Sequence, residues 1–259
     1  MQNNRATKRA TLHSMALMEE NQGQKRVERS QMGVIPHASE VFGESRDGNP
    51  LTVWLPARTK PEILLLASMH GDESETTVVL SDALRSIRAE SLKNAAVLCA
   101  NPDGLVRGTR GNANGVDLNR NFPASNWSPE PVFYKSQRNG PRDIRLSPGP
   151  HPASEPETRA LLSLLDRLRP RAVITLHAAL ACIDDADDSF LGRQLAERTG
   201  LPLEPVTYPT PGSFGSWAQE HELNLVTYEL EAASPYDLKE RHSPVLIDVL
   251  TGKIGPEGP

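Results

Sequence analysis

The chain has 259 residues, of which 37% are hydrophobic, and it carries a formal net charge of −5. This length suits one α/β domain with a sizeable buried core and is short for two. The negative charge gives no electrostatic footprint for nucleic acid or an anionic membrane, so we expect neither as a partner. The two cysteines, Cys99 and Cys182, form no C-x-x-C pair. We therefore expect no disulfide framework and a reducing compartment.

The start of the chain is polar and weakly periodic. Residues 1–33 contain no apolar run long enough for the core of a signal peptide. No window of the chain approaches the ~18 apolar residues that a membrane-spanning helix requires. We predict a polar N-terminal tail or frayed helix over residues 1–33, one folded domain over residues 34–250 and a C-terminal tail over residues 251–259. The protein is predicted to be cytoplasmic, and its oligomeric state is left open, with a homodimer as one outcome.

Strand and helix patterns alternate through the first half of the chain. Apolar runs predict strands at residues 51–56, 62–69 and 95–100, and apolar residues at helical spacing predict a helix over residues 74–88. The segment from residue 107 to about 152 is rich in Gly, Asn and Pro and shows little periodicity. A loop of this length is unusual in a compact domain unless it is functional.

The alternation continues in the second half. Residues 154–157 (SEPE) fit a capping box with the serine as N-cap residue, followed by a leucine-rich helix. A strand is predicted at residues 172–176, a helix at residues 190–198 and a strand at residues 225–230. This order predicts a three-layer α/β sandwich with a mixed, mainly parallel sheet.

Polar side chains stand at the ends of the predicted strands. Four of them lie in or just beyond an apolar run: His70, Asn101, His177 and Glu229. Ligands of open α/β sheets bind beyond the carboxyl ends of the strands, so these side chains should meet in one crevice. His70 and Glu73 form an H-x-x-E pair, and His177 would complete the His₂Glu set of a catalytic zinc site with one position open for water. Zinc lowers the pKa of such a water and polarises a scissile carbonyl.

A second polar segment covers residues 112–123 (NANGVDLNRNFP). It places amide and acid side chains and Arg120 around a few apolar residues. An Asn-rich turn is the simpler explanation, but a turn does not need an arginine. Because the guanidinium group suits fork-like binding of a carboxylate, the segment indicates recognition of a carboxylate on the ligand.

Together these motifs resemble the zinc carboxypeptidase (M14) family. The likeness is carried by HGDE at residues 70–73, NPDG at 101–104, DLNRNF at 117–122, His177 and Glu229. Further segments resemble one branch of the family, bacterial cytoplasmic amidases of cell-wall recycling: ANGVDLNRNFP at 113–123, SEPET at 154–158, LACI at 180–183 and PGSFGSW at 211–217. The likeness runs from about residue 34 to about residue 250.

The resemblance implies a role for each matched residue. It makes His70, Glu73 and His177 the ligands of one Zn²⁺ ion per chain and Glu229 the general base. The other implied roles are support of the first zinc histidine by Asp117, binding of the substrate carboxylate by Asn119 and Arg120, stabilisation of the oxyanion by Arg110 or, in its place, Arg107, and closure over the substrate by Tyr208.

The same resemblance implies a substrate. It points to hydrolysis of the γ-D-glutamyl–meso-diaminopimelate amide bond in murein tripeptide or a related small peptide. One departure bears on this substrate, because the branch has an acidic residue directly after the third zinc ligand, where this chain has Ala178. Three alternatives stay open: a general zinc carboxypeptidase, an N-acyl amino acid deacylase of the aspartoacylase kind, and an inactive metal- or peptide-binding module. The intact Glu229 argues against the last.

Other polar residues have simpler explanations. Glu231, two residues after Glu229, is the rival general base. The run Asp184, Asp185, Asp187 and Asp188 is expected to be a solvated loop, and Cys182 a small core residue. The five remaining histidines are expected to be surface or structural residues: His13, His37, His151, His221 and His242.

Overall fold

The protein is built around a seven-stranded sheet. The computed structural model describes residues 33–136 and 142–257, so His13 and all of the predicted N-terminal tail except Gly33 lie outside the described residues. The strands are β1 (Ala38–Glu44), β2 (Pro50–Leu55), β3 (Ile63–Leu66), β4 (Ala95–Val97), β5 (Val132–Ser136), β6 (Arg142–Leu146), β7 (Ala172–Ala178), β8 (Cys182–Asp184) and β9 (Asn224–Leu230). The sheet has the order β1-β2-β4-β3-β7-β9-β8, and β5 and β6 form a separate hairpin.

The centre of the sheet is parallel and its two sides are antiparallel. β4, β3, β7 and β9 pair in parallel, whereas β2 pairs antiparallel with β1 and β4, and β8 pairs antiparallel with β9. All four residues of β3 are buried. A parallel strand buried on both faces reads as a continuous apolar run, which explains why the sequence pattern for β3 was so clear.

Helices cover both faces of the sheet. They are α1 (Ser74–Arg85), α2 (Pro102–Arg107), α3 (Pro156–Leu168), α4 (Phe190–Thr199), α5 (Phe214–Glu220) and α6 (Pro235–Leu250). Ile63 and Leu65 of β3 belong to a core cluster with residues of α1, α4 and α6. Leu64 and Leu66 point the other way, into a cluster with residues of α3 and α5. Two cores on opposite faces of one sheet make the three-layer α/β sandwich that the sequence predicted.

The start of α3 differs from the predicted capping box. Glu155 is the N-cap residue, and its side chain makes no capping hydrogen bond. The Ser154 hydroxyl instead donates to the Glu155 carboxylate (2.7 Å). Glu157 accepts from the backbone N–H of Arg46 (2.9 Å) and from the Asn112 side chain (3.0 Å). The prediction of Ser154 as N-cap was therefore wrong. The carboxylates of Glu155 and Glu157 instead accept hydrogen bonds from the Asn-rich segment, which is distant in sequence.

The predicted long loop contains regular structure. A 3₁₀ turn spans Leu118–Arg120, and the β5–β6 hairpin follows it. The helices α5 and α6 are also additions to the predicted elements. The sequence signal at their starts is a serine whose hydroxyl accepts a backbone N–H in the first turn, Ser213 for α5 and Ser234 for α6.

The described residues from Ile35 onward form one compact unit. Its end extends past the boundary predicted at residue 250, because Ile254 is buried in the core and the carbonyl of Gly255 accepts from Gln194 (2.9 Å). In the part of the chain that the structure describes, no helix is both long and apolar enough to cross a membrane.

Candidate metal centre and substrate pocket

Three buried side chains meet at the carboxyl edge of the sheet. His70 Nδ1 lies 2.9 Å from Glu73 Oε1, His177 Nδ1 lies 3.0 Å from Glu73 Oε2, and the two Nδ1 atoms are 3.0 Å apart. Ligand atoms around a tetrahedral zinc, each about 2.0–2.2 Å from the ion, are separated by about 3.3–3.6 Å, slightly more than the distances in this ion-free triad. Two imidazoles that turn the same nitrogen towards each other and towards one carboxylate form a donor set that fits Zn²⁺.

A second layer of charge surrounds this triad. His70 Nε2 lies 3.2 Å from Asp117 Oδ1, so the ring is held between two carboxylates. Arg110 Nη1 donates to Glu73 Oε1 (2.9 Å), and its Nε lies 3.5 Å from Asp117 Oδ2. Burial alone would raise the pKa of Glu73, but His70 and His177 outweigh it and hold that pKa well below the usual range. Glu73 and Asp117 are therefore anionic and Arg110 is cationic.

The loop that carries His70 is held by close backbone contacts. Ser68, just after β3, adopts a positive φ of 47° and turns the chain out of the sheet. A Cβ on Gly71 would lie 2.0 Å from the carbonyl carbon of Gly104, so only glycine fits there. Asn101, predicted among the polar strand-end residues, donates from its side chain to the carbonyls of Met69 and Arg110 (both 3.3 Å). It positions the loops of His70 and Arg110 and does not face the pocket.

Glu229 stands beside the triad. The register of β7 and β9 pairs His177 with Glu229, and both residues line one pocket of about 250 Å³. The Glu229 carboxylate accepts from the backbone N–H of Leu180 (3.4 Å). Burial raises its pKa, and the neighbouring Glu73 adds to the rise. A buried carboxylate next to a metal triad has the surroundings of a general base.

Glu231, the rival general base, faces elsewhere. It receives hydrogen bonds from Arg241 Nη1 (2.6 Å) and His242 Nε2 (2.7 Å) of α6. The other ring nitrogen of His242 lies 2.7 Å from the hydroxyl of buried Tyr228. Glu231 does not line the pocket, so the structure leaves Glu229 as the candidate base.

The predicted carboxylate-binding pair lies at the pocket. The Asn119 side-chain oxygen accepts from the backbone N–H of Phe214 (2.9 Å), which ties the 3₁₀ turn to α5. Arg120 Nη1 donates to the carbonyl of Asn119 (2.6 Å). Arg120 Nε is buried and has no hydrogen-bond partner among the described residues. A buried donor without a partner is costly, so an anionic ligand group at this point would satisfy it.

The two candidate oxyanion arginines are separated by the structure. Arg110 lines the pocket, and its guanidinium carbon lies 4.5 Å from the ring centre of Tyr134. Arg107 lies on α2, where Nη2 is 2.5 Å from Asp47 Oδ2 and the side chain is exposed. Arg107 is thus placed outside the pocket, and only Arg110 is positioned for the role. Tyr208 lines the pocket with most of its side chain exposed.

The acidic run after His177 is only partly the solvated loop expected. Asp184 and Asp187 line the pocket. Asp185 is buried and accepts from the backbone and hydroxyl of Ser189 (2.8 and 2.6 Å). Asp187 and Asp188 are exposed as expected, and Asp188 forms an ion pair with Arg193. The sequence offered no signal that could have identified Asp184, because β8 has only three residues, too few for a periodic pattern.

The other described histidines and Cys182 make structural contacts or lie at the surface. His242 is buried in the network with Glu231, and His221 stacks on Trp217 at 4.2 Å between ring centres. His37 contacts the carbonyl of Leu84 (3.1 Å), and His151 is exposed. Cys182 is buried and unpaired, and burial raises the pKa of its thiol to about 11, so it remains protonated at neutral pH.

The protein combines a mixed sheet with a His–Glu–His triad, and a buried glutamate and an arginine line the adjoining pocket. This combination is typical of a metal-dependent hydrolase of the carboxypeptidase type. Residues 35–183 match the zinc carboxypeptidase family, peptidase M14. The chain belongs to this family, which makes it a hydrolytic metalloenzyme.

Three individual proteins are similar over most of the chain. Murein peptide amidase A of Escherichia coli (strain K12) is 44% identical over 218 residues, which cover 83% of this chain and 90% of that protein. The protein of the same name from Vibrio campbellii is 40% identical over 229 residues, covering 87% and 91%. The crystal structure of murein-tripeptide amidase from E. coli O157 superposes with a TM-score of 0.83 at 40% identity, covering 87% of this chain and 97% of that one.

Proposed function

We propose that this chain is a zinc-dependent amidase that hydrolyses the γ-D-glutamyl–meso-diaminopimelate bond of murein tripeptide. The observation that carries the proposal is one pocket that combines a candidate metal triad, buried Glu229 and Arg120 with its unpaired Nε. The names of the relatives at 40–44% identity supply the substrate class.

The metal is proposed to be one Zn²⁺ per chain. His70 Nδ1, His177 Nδ1 and the Glu73 carboxylate would hold it, because a site with two imidazoles and one carboxylate suits zinc. When bound there, zinc would lower the pKa of a water molecule and polarise the scissile carbonyl. Asp117 accepts from the far side of the His70 ring and so fixes which nitrogen faces the ion.

The proton is moved by Glu229. Its carboxylate would accept a proton from the attacking water and return it to the leaving nitrogen of diaminopimelate. Arg110, held by Glu73 and Asp117, would place positive charge where the carbonyl oxygen becomes negative. Arg120 would take the carboxylate next to the scissile nitrogen, which orients the bond over Glu229.

Two further properties are proposed with the activity. Both cysteines, Cys99 and Cys182, are free thiols, which supports a reducing compartment and hence a cytoplasmic location. The homodimer stays a prediction.

The test is incubation of zinc-loaded protein with L-Ala-γ-D-Glu-meso-diaminopimelate, with the products identified by mass. We expect release of free diaminopimelate and the dipeptide L-Ala-D-Glu. Two control substrates separate the alternatives, an α-linked peptide with a free carboxyl end for a general carboxypeptidase and N-acetyl-aspartate for a deacylase. Hydrolysis of either control at the rate of the murein tripeptide, or no hydrolysis of the tripeptide, would remove the proposal.

A further inference from the structure

The pocket is lined by acidic side chains as well as by the cationic Arg120. Asp184 and Asp187 line the same pocket as Arg120, His177 and Glu229. We propose that Asp184 binds the far ammonium group of a diamino-acid substrate and so selects a side chain that ends in a cation. This inference rests on the proposed function, since it concerns the residue released when the amide bond is cut.

The strand register places Asp184 at a defined depth in the pocket. β8 runs antiparallel to β9 and pairs Cys182 with Glu229 and Asp184 with Thr227. Alternate residues of a strand share a face, so Asp184 lies on the same face as the Glu229 pair and two residues further along, about 6.6 Å at the rise of a strand. Thr227 also lines the pocket, which confirms that this face of the two strands is its wall.

This spacing matches the length of the proposed substrate. The two amino-acid centres of diaminopimelate are four carbon–carbon bonds apart, roughly 5 Å when the chain is extended. With the scissile nitrogen beside Glu229, the second centre therefore reaches the depth of Asp184. A shorter diamino acid would stop before this wall.

The Asp184 carboxylate is fixed and has capacity for a ligand. Its Oδ1 accepts from the backbone N–H of Val206 (2.7 Å), which sets the orientation of the group. Within the described ranges, 33–136 and 142–257, it takes part in no ion pair, in contrast to Asp188, which pairs with Arg193. Burial raises the pKa of Asp184, and the charge of the neighbouring Asp185 raises it further. A bound ammonium group would offset these unfavourable effects on the Asp184 carboxylate.

A pocket that is lined by both an arginine and aspartates is suited to a ligand that carries both an anionic and a cationic group. The buried, unpaired Nε of Arg120 independently calls for an anionic group at one end. The carboxylates of Asp184 and Asp187, which line the same pocket, would bind a cationic group of the ligand. Ala178, which directly follows His177, contributes no charge, so Asp184 and Asp187 are the acidic side chains that this segment brings to the pocket.

The experiment compares three peptides that differ only in the last residue after L-Ala-γ-D-Glu. These residues are meso-diaminopimelate, L-lysine, which keeps the far ammonium but lacks the far carboxylate, and 2-aminopimelate, which keeps the far carboxylate but lacks the ammonium. We expect the native enzyme to lose at least about tenfold in kcat/KM with 2-aminopimelate relative to diaminopimelate, the size of one charge-assisted contact.

The variant is Asp184→Asn, which keeps an oxygen to accept from Val206. It should lose the same factor with the diaminopimelate and lysine peptides and show little further loss with 2-aminopimelate, because the two changes remove one interaction. Asp188→Asn, an exposed member of the same acidic run, is the matched control and should leave all three rates unchanged. Thermal unfolding of Asp184→Asn checks that the fold is intact.

Two results would overturn the inference while the proposed function stands. One is equal hydrolysis of the diaminopimelate and 2-aminopimelate peptides by the native enzyme. The other is a variant, Asp184→Asn, that slows all three peptides by one factor. Absence of hydrolysis of any peptide by the zinc-loaded native enzyme would instead refute the amidase proposal and the inference with it.

Discussion

Two glutamates at the end of β9 show how surroundings decide the chemistry of a side chain. Glu229 has a pKa raised by burial and faces the pocket. Burial also acts on Glu231, but hydrogen bonds from the backbone, His242 and Arg241, together with the charge of His242, outweigh it and lower the pKa. The pKa of Glu229 is thus shifted towards taking up a proton, whereas that of Glu231 is shifted towards the ionised form that pairs with α6.

This contrast predicts opposite effects of the same substitution. Glu229→Gln should retain zinc and the fold but lose about 10²–10⁴-fold in kcat, because the amide cannot accept a proton. Glu231→Gln should keep most of the turnover and lose about 1–3 kcal/mol of unfolding free energy, because a charged acceptor of two hydrogen bonds becomes neutral. Turnover, zinc content and urea unfolding measure these quantities. An active Glu229→Gln beside an inactive Glu231→Gln would exchange the two assignments.

At the scale of elements, the candidate metal centre depends on two segments that converge from distant parts of the chain. β7 delivers His177, and the turn between β3 and α1 delivers His70 and Glu73. This turn is in backbone contact with α2, where Gly71 approaches Gly104. The packing of one short loop on another thereby sets the position of two candidate metal ligands.

Gly71→Ala tests this contact. The new methyl would lie 2.0 Å from the backbone carbon of Gly104, and backbone cannot move aside as a flexible side chain can. We expect the turn to shift, zinc affinity to fall by at least about tenfold and stability to drop by about 1–3 kcal/mol, the usual range for overpacking. Gly255→Ala is the control, since Gly255, like Gly71, is outside the left-handed region and the nearest atom to its new methyl lies 3.9 Å away. Equal zinc affinity in Gly71→Ala and the native protein would show that the contact does not position the ligands.

The elements also show why prediction from sequence succeeded unevenly. β3, β7 and β9 were predicted to within a few residues because all three give apolar runs, β3 and β7 being buried on both faces and β9 over its last three residues. The strand-end rule then placed His70, His177 and Glu229 together. By contrast, β8 has only three residues, too few for a periodic pattern, so Asp184 was grouped with its charged neighbours. The capping error at Ser154 arose because the partners of Glu155 and Glu157 lie more than 40 residues away.

At the scale of the molecule, the proposed zinc site links both halves of the domain. Glu73 lies at the start of α1, and His177 lies 104 residues further along the chain. The unfolded chain cannot hold these ligands together, so a metal that binds the triad binds the native state in preference. Metal binding should therefore be visible as stability of the whole domain.

Zinc should raise the melting temperature of the metal-stripped protein. At a free zinc concentration of 100 times Kd the native state gains about 2.7 kcal/mol. For a domain of this size, 1 kcal/mol corresponds to about 2–4 °C, so we expect a rise of about 5–10 °C by calorimetry. Calcium should give no comparable rise, because it prefers oxygen ligands and the triad offers two imidazoles. Glu229→Gln should keep the full rise, whereas His177→Ala should lose most of it, since two ligands remain. An equal rise in His177→Ala would place the zinc elsewhere on the molecule, and full amidase activity in the stripped native protein would exclude a catalytic metal.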